Sequence, residues 1–275
     1  MNGTGLKAEV QQHWEHEVCG SRFGDDRQDR RAYFREIDRD RCQQDYMLAD
    51  FARFGESTGR RVLEVGLGTG ADFIRWVRAG ATAAGRDLTA ASVALVRERL
   101  ELEGLHADVA TGDAENLEFA DNSFDIYYSW GVLHHTPNTE RAIAEAWRVL
   151  RPAGQLRIML YRRPSVAVGL VWLAQGPLRG RWVSPRTAVA RYVESPGTSC
   201  YSTRAARAMV GRYFPAASIR THAYMGSGDL LSIKRRSPRY QGRLWDLAQA
   251  AYPRWLVRRI PGPMLGSVLT IEATK

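Results

Sequence analysis

Between residues 60 and 161 the chain alternates short apolar runs with longer stretches whose apolar residues recur every three or four positions. RRVLEVG, TAAGRDL, ADVATGD, SFDIYYSW and QLRIMLY read as strands. ADFIRWVRAG, TAASVALVRERLELEG and NTERAIAEAWRVLRPAG read as helices, the second with Thr89 as its N-cap. Such alternation predicts βαβ units and, with right-handed crossovers, a sheet covered by helices on both faces. Ligands of such folds bind at the carboxyl ends of the strands.

Upstream, residues 6–18 and 29–54 have helical spacing; downstream, STRAARAMVGRYF reads as a helix and AASIRTHAY and GSVLTIEATK as strands. The expected fold is therefore α/β, an open doubly wound sheet of seven strands. Its parts are an N-terminal helical cap (1–57), a core (58–161), a cap insertion (162–200), a continuation of the core (201–225), a second insertion (226–262) and a last strand (263–275). The two insertions hold Trp172, Trp182, Trp245 and Trp255.

Composition narrows the class without naming a function. At 275 residues, with 44% apolar and 25% charged side chains, the chain is ordinary globular material. Cys19, Cys42 and Cys200 are odd in number and far apart, which indicates neither a disulfide framework nor a zinc knuckle. The N-terminus lacks the pattern of a secretory signal. The longest apolar run, SVAVGLVWLA, falls short of the roughly 18 residues of a membrane span. A soluble, cytoplasmic protein is expected. Charge is uneven: residues 1–161 carry 20 basic and 26 acidic side chains, residues 162–275 carry 19 and 4. That asymmetry points to an anionic partner for the second half, although the 36 arginines against three lysines also suit a GC-rich genome.

Candidate chemistry gathers where the strands end. Leu63-Glu64-Val65-Gly66-Leu67-Gly68-Thr69-Gly70 closes the first strand, and its glycines let backbone turn sharply beneath a ligand. Through Ala71 the turn also fits the looser dinucleotide-binding pattern. A carboxylate at Glu64 suits a ligand amine better than a pyrophosphate. Asp87, 17 residues after Gly70, ends the second strand where it can accept two ribose hydroxyls, and Asp113 ends the third within reach of an adenine amino group.

This glycine turn and the two acids, followed by DAENLEFADNSFDIYYSWGVLHHTPNTERAIAEAWRVLRPAGQLRIML, resemble the class I S-adenosylmethionine-dependent methyltransferases. Within them the stretch resembles the branch of small-molecule methyltransferases similar to the quinone-biosynthesis C-methyltransferases. The resemblance spans residues 58–161 and implies a Rossmann-like methyltransferase sheet with S-adenosyl-L-methionine as cofactor. It implies Glu64 at the methionine amine, Gly66, Gly68 and Gly70 beneath the cofactor, and Asp87 on the ribose. Leu88 would pack on the adenine, Asp113 and Ala114 would contact its edge, and Trp130 would lie beside the methionine end. Leu67, Arg86 and the PAGQ turn depart from the family pattern, and Arg86 raises the prospect of a modified ribose pocket. N-terminal aromatics Trp14, Phe23, Tyr33 and Phe34 are candidates for closing over the cofactor or for plain packing.

His134 and His135 follow the fourth strand, at the rim where an acceptor would meet the methyl group. Either could be a general base, and being adjacent they should not both face the acceptor. No carboxylate or cysteine at ligand spacing makes them a metal pair, and His13, His16 and Glu17 lack a further ligand, so no metal is expected. The expected function is methyl transfer to an O, N or C atom of a small, anionic or amphipathic metabolite. The alternative is an RNA-directed enzyme using KRRSPRYQGR (234–243) and RWLVRR (254–259). Against it, SWGVLHH lacks the signature of base amino methylation, and nucleic acid is disfavoured as a partner. A non-catalytic protein that kept the fold is the third reading. Oligomeric state is not legible.

Overall fold

A computed structural model describes residues 3–16, 18–21, 29–193, 195–230, 247, 250–257 and 259–275. Glu17, Phe23, Trp245 and the basic stretch 234–243 lie outside the described residues.

Seven strands form one sheet: β1 (Arg61–Val65), β2 (Thr82–Asp87), β3 (Asp108–Thr111), β4 (Phe124–Trp130), β5 (Leu150–Tyr161), β6 (Arg220–Tyr224) and β7 (Val268–Thr274), in the order β3-β2-β1-β4-β5-β7-β6. The first five are parallel; β7 runs antiparallel between β5 and β6. All seven predicted strands are present. Periodicity could not show that the last strand inserts between its predecessors, because strand order is a property of pairing between distant segments.

Among the described residues, helices with defined bounds are α1 (Gly3–His16), α2 (Arg30–Gln44), α3 (Leu48–Ala52), α4 (Phe73–Arg78), α5 (Ala90–Glu103), α6 (Thr139–Val149), α7 (Val166–Gln175), α8 (Pro185–Tyr192), α9 (Thr203–Val210), α10 (Arg254–Val257) and α11 (Gly262–Leu265). Their starts follow local chemistry. Thr89, Asn138, Ser165, Ser184 and Ser202 each accept a hydrogen bond from a first-turn amide. The helix expected over 29–54 is broken at Asp45, and Arg53, in the left-handed region, ends α3. Helix α6 stops at Val149, since Leu150 already pairs with Phe124 in the sheet.

Alternate residues of the central strands feed two cores. Leu63, Val65, Tyr127 and Ile158 pack with α6 and α9 on one face. Val62, Ile126 and Tyr128 pack with Trp76 and α5 on the other. Glu64 has the parity of the second set. This is why a carboxylate in the central strand is buried, among residues of α2 and α4.

Candidate functional site

The glycine turn after β1 is built for close approach. Gly66, Gly68 and Gly70 all have positive φ. A Cβ on Gly66 would stand 2.1 Å from Val132 Cγ2, and one on Gly68 would be 3.2 Å from the Cys19 carbonyl oxygen. Either side chain would be strained in backbone; at Gly66 it would also be blocked in space, and at Gly68 crowded.

Asp87 braces this turn. Its Oδ2 accepts from the Leu67 and Gly68 amides at 2.7 and 3.2 Å. Its Oδ1 accepts from the Thr89 amide and hydroxyl at 2.9 and 2.7 Å. Four donors fill a carboxylate's usual capacity, so Asp87 fixes the shape of the turn, and a ribose would have to share its oxygens. Arg86 is directed elsewhere: it pairs with Asp108 at 2.8 Å and with Glu118, over the Phe119 ring.

Glu64 is buried, and its Oε2 has no hydrogen-bond partner among the described residues. Around it lie Asp72, Arg41, Trp76 and Tyr128. Arg41 descends from α2 to Asp72 at 2.5 Å and to Asp45, with Tyr128 Oη donating to Asp72 at 2.8 Å. Burial, then the Asp72 charge, push the Glu64 carboxyl well above its ordinary range; Arg41 and the nearby Trp76 N–H oppose this without prevailing. Asp72, although equally buried, is held low by Arg41 and Tyr128. One cation serves two carboxylates, Asp72 and Asp45, and Glu64 is left without one of its own. A ligand ammonium would supply it.

Trp130 closes this side, with the Arg41 guanidinium 5.4 Å from its ring centroid and Phe51 edge-on at 5.7 Å. Sequence reasoning did not find Arg41, Asp72 or Tyr128. Asp72 directly follows the turn motif and could have been flagged; Arg41 is one of six arginines in α2 and its flanks, with nothing local to distinguish it.

On the opposite side, α1 lies over the ends of β2 and β3. Lys7 Nζ donates to Asp113 at 2.6 Å and Glu115 at 2.9 Å. Gln11 donates to the carbonyl of half-buried Leu88 at 3.1 Å, and Glu15 accepts from the first amides of α5. The Lys7 ammonium thus sits at the acceptor expected to receive an adenine amino group. Half-buried Ala114 packs against the core next to it. Of the N-terminal aromatics, Tyr33 and Phe34 are packing anchors in a small cluster with Ile37 and Ala71. Trp14 meets a predicted site residue, edge-on to His135 at 5.4 Å.

The histidines differ from the expectation of an open rim. Both are buried, and their rings lie 4.3 Å apart. His134 stacks on Tyr161 at 3.9 Å, and its Nδ1 accepts from the Tyr161 amide at 3.3 Å, so a neutral ring carries its proton on Nε2. Burial, then His135, hold its pKa well below the ordinary value. With its lone pair engaged and its other nitrogen protonated, His134 is poorly suited to be a base.

His135 Nδ1 lies 2.8 Å from Ser195 Oγ and 3.0 Å from Thr198 Oγ1. The Thr198 hydroxyl proton is directed to the Ser195 carbonyl at 2.7 Å. Towards His135 it can therefore only accept, whereas the Ser195 hydroxyl can donate or accept; a proton on Nδ1, directed to Thr198, would leave Nε2 as the basic nitrogen. Ser195 and Thr198 come from the end of the cap insertion, about 60 positions away, so no local spacing could reveal them. The Ser199 amide donating to the His134 carbonyl at 2.9 Å fastens that segment here.

Among the described residues, no group of three or more His, Cys, Asp or Glu side chains could hold a metal ion, and no helix is long and apolar enough to cross a membrane.

Known proteins place this arrangement in context. Residues 63–158 match a family described as a methyltransferase domain. The phthiotriol/phenolphthiotriol dimycocerosates methyltransferase 1 of Mycobacterium ulcerans is 39% identical over 167 residues, 58% of this chain and 58% of that protein. The ubiquinone/menaquinone biosynthesis C-methyltransferase UbiE of Dinoroseobacter shibae is 42% identical over 105 residues, 36% of this chain and 42% of that one. These matches thus cover under two thirds of either relative. Among solved structures, phosphoethanolamine N-methyltransferase 2 of Haemonchus contortus, in complex with phosphomonomethylethanolamine and S-adenosylhomocysteine, superposes with a TM-score of 0.59. That match has 21% identity and covers 84% of this chain and 52% of that one; it attests the fold.

Proposed function

We propose that the chain is an S-adenosylmethionine-dependent methyltransferase acting on a hydroxyl group of a small amphipathic molecule, a reading supported by the match of residues 63–158 to a methyltransferase domain. The observation that carries the reading is the buried Glu64 oxygen without a partner, beside a glycine turn that admits no side chain. A cationic ligand with a flat, closely approached body answers both features. Gly66, Gly68 and Gly70 would cradle the cofactor, with Glu64 at its amine and Trp130 beside its methionine end. Asp87 and Leu88 would bound the ribose and adenine, and Asp113 and Ala114 the adenine edge once Lys7 moves aside. When bound, S-adenosylmethionine supplies an electrophilic methyl group on sulfur.

The remaining work belongs to the chain. Holding an acceptor oxygen in line removes an entropic barrier worth roughly 7–11 kcal/mol at its upper end. His135 Nε2 takes the hydroxyl proton, while Ser195 and Thr198 hold Nδ1 from the far side of the ring. His134 supports that ring and the start of the loop. A hydroxyl acceptor gives the oriented base a task, and the mycobacterial relative is named for a triol.

Calorimetry with S-adenosylmethionine, then transfer of labelled methyl to a panel of hydroxylated amphipathic compounds, tests this. Micromolar cofactor binding and label on oxygen are expected. No cofactor binding, or tight NAD binding in its place, would overturn it.

A further inference from the structure

The insertion after β5 has features that the proposed reaction does not use. Helix α7 is ten residues long with no charged side chain, yet none of its residues is buried. It turns back into α8 through a short 3-10 helix, Pro177–Arg179. This turn is ordered: the amides of Arg179 and Arg181 both donate to the Gly176 carbonyl, and Trp172 Nε1 donates to the Val183 carbonyl at 2.9 Å.

At its tip Trp182 is 97% exposed and Leu178 73% exposed, with Leu173 half-exposed on α7. Residues 162–193 contain six arginines and no Asp or Glu. Arg162 and Arg163 donate to internal carbonyls. Arg179, Arg181, Arg186 and Arg191 make no ion pair among the described residues, and all four are exposed. The segment beside the first turn of α7, joined to it by Asp229, which accepts from the Ala167 and Ser267 amides, adds exposed Trp255 and Met264.

We infer that the α7–α8 hairpin is a docking surface for an anionic phospholipid bilayer, with Trp182 and Leu178 entering the interface and the four arginines meeting the headgroups. Exposed apolar groups of this size on an ordered turn mark an interaction site. Tryptophan favours the level of the headgroups, and arginine keeps its guanidinium in the polar layer while its stem lies along apolar surface. A ten-residue helix of about 15 Å is too short to span but can lie in the interface. Net positive charge without a carboxylate selects an anionic surface. A nucleic acid would satisfy the arginines and Trp182, but it offers no hydrocarbon to the leucines and the uncharged face of α7, so the bilayer is favoured.

The test is sedimentation of the full chain with vesicles of phosphatidylglycerol and phosphatidylcholine in equal parts, against phosphatidylcholine alone and against a structured RNA. Binding to the anionic vesicles, weakened by salt, is expected. The Arg179→Gln/Arg181→Gln/Arg186→Gln variant should lose about 100-fold in partitioning, about fivefold per arginine. Trp182→Ala should lose about tenfold. These side chains are exposed, so circular dichroism should be unchanged in every variant. The inference is overturned if anionic vesicles do not bind the chain, if neither variant weakens binding, or if the RNA binds with the same arginine dependence while vesicles do not. Cofactor affinity enters none of these readings, so they stand apart from the fate of the proposed reaction.

Discussion

The arginines of the sheet domain and those of the α7–α8 hairpin have the same side chain and opposite situations. In the first, Arg41 joins Asp72 and Asp45, Arg86 joins Asp108 and Glu118, and Arg99, almost wholly buried, joins Asp38 at 2.6 Å. In the second, Arg179, Arg181, Arg186 and Arg191 make no ion pair among the described residues. Buried guanidiniums require partners, since an unpaired charge removed from water is costly. Exposed ones do not, so a cluster of them without partners reports on something outside the molecule. The uneven charge of the chain is therefore no uniform property: the sheet domain pairs these arginines internally, and the α7–α8 hairpin presents its own.

The comparison is broken most severely at Arg41. Arg41→Met leaves Asp72 and Asp45 buried without a counter-charge, at a cost of about 3–5 kcal/mol. For a chain of this size the thermal midpoint should fall by about 10 °C. A midpoint within a degree or two of the parent would mean that the cluster does not hold α2 to the site.

Next come the histidines. His135→Ala should lower kcat by about 10²–10⁴-fold, the usual worth of a positioned base, with little change in cofactor affinity. His134→Ala should act mainly on stability, since it removes a ring stacked on Tyr161. Ser195→Ala/Thr198→Val should cost about tenfold in kcat and shift the pH profile of kcat, because His135 Nδ1 loses both of these hydroxyl partners. If the two histidine variants lose equal activity at equal stability, the distinction drawn from their hydrogen bonds fails.

Much of this was legible in advance. The seven strands, the glycine turn and the positions of Glu64, Asp87 and Asp113 follow from periodicity and spacing, because each element is fixed by residues within a few positions of one another. Asp87 shows the limit: its place at the end of β2 was readable, but its four hydrogen bonds depend on how the β1 turn folds over it. The histidines show it more sharply. His134 and His135 are neighbours in sequence, and only Tyr161 on one side and Ser195 and Thr198 on the other separate their chemistry. Those partners arrive by tertiary contact. Lys7 on Asp113 and Arg41 beside Glu64 were missed for the same reason.

Glu64 gives a smaller effect with a definite sign. Its carboxyl is raised in the folded chain by burial and by Asp72, so its contribution to stability is full at low pH and is lost as pH rises through the raised folded-state value. The thermal midpoint of the ligand-free protein should decline over that window, and Glu64→Gln should flatten the decline. Cofactor affinity should move the other way. An ammonium favours the ionised carboxylate, so affinity should climb with pH until Glu64 is ionised without help and then level off. Calorimetry across the neutral range with parent and Glu64→Gln reads this directly, and parallel pH curves would remove Glu64 from the amine site.

The smallest effect lies at the other end of the comparison, and its smallness is the point. Arg181→Gln and Arg186→Gln remove exposed side chains with no internal ion pair, so each should change stability by no more than about 0.5 kcal/mol. Removing both should even be slightly stabilising at low salt, by relieving repulsion among like charges, and that gain should vanish as salt screens them. Thermal unfolding at two salt concentrations measures this. A loss of 2 kcal/mol or more, independent of salt, would mean that these arginines have internal partners after all. The hairpin would then be an extension of the paired core, and its charge would no longer point outward.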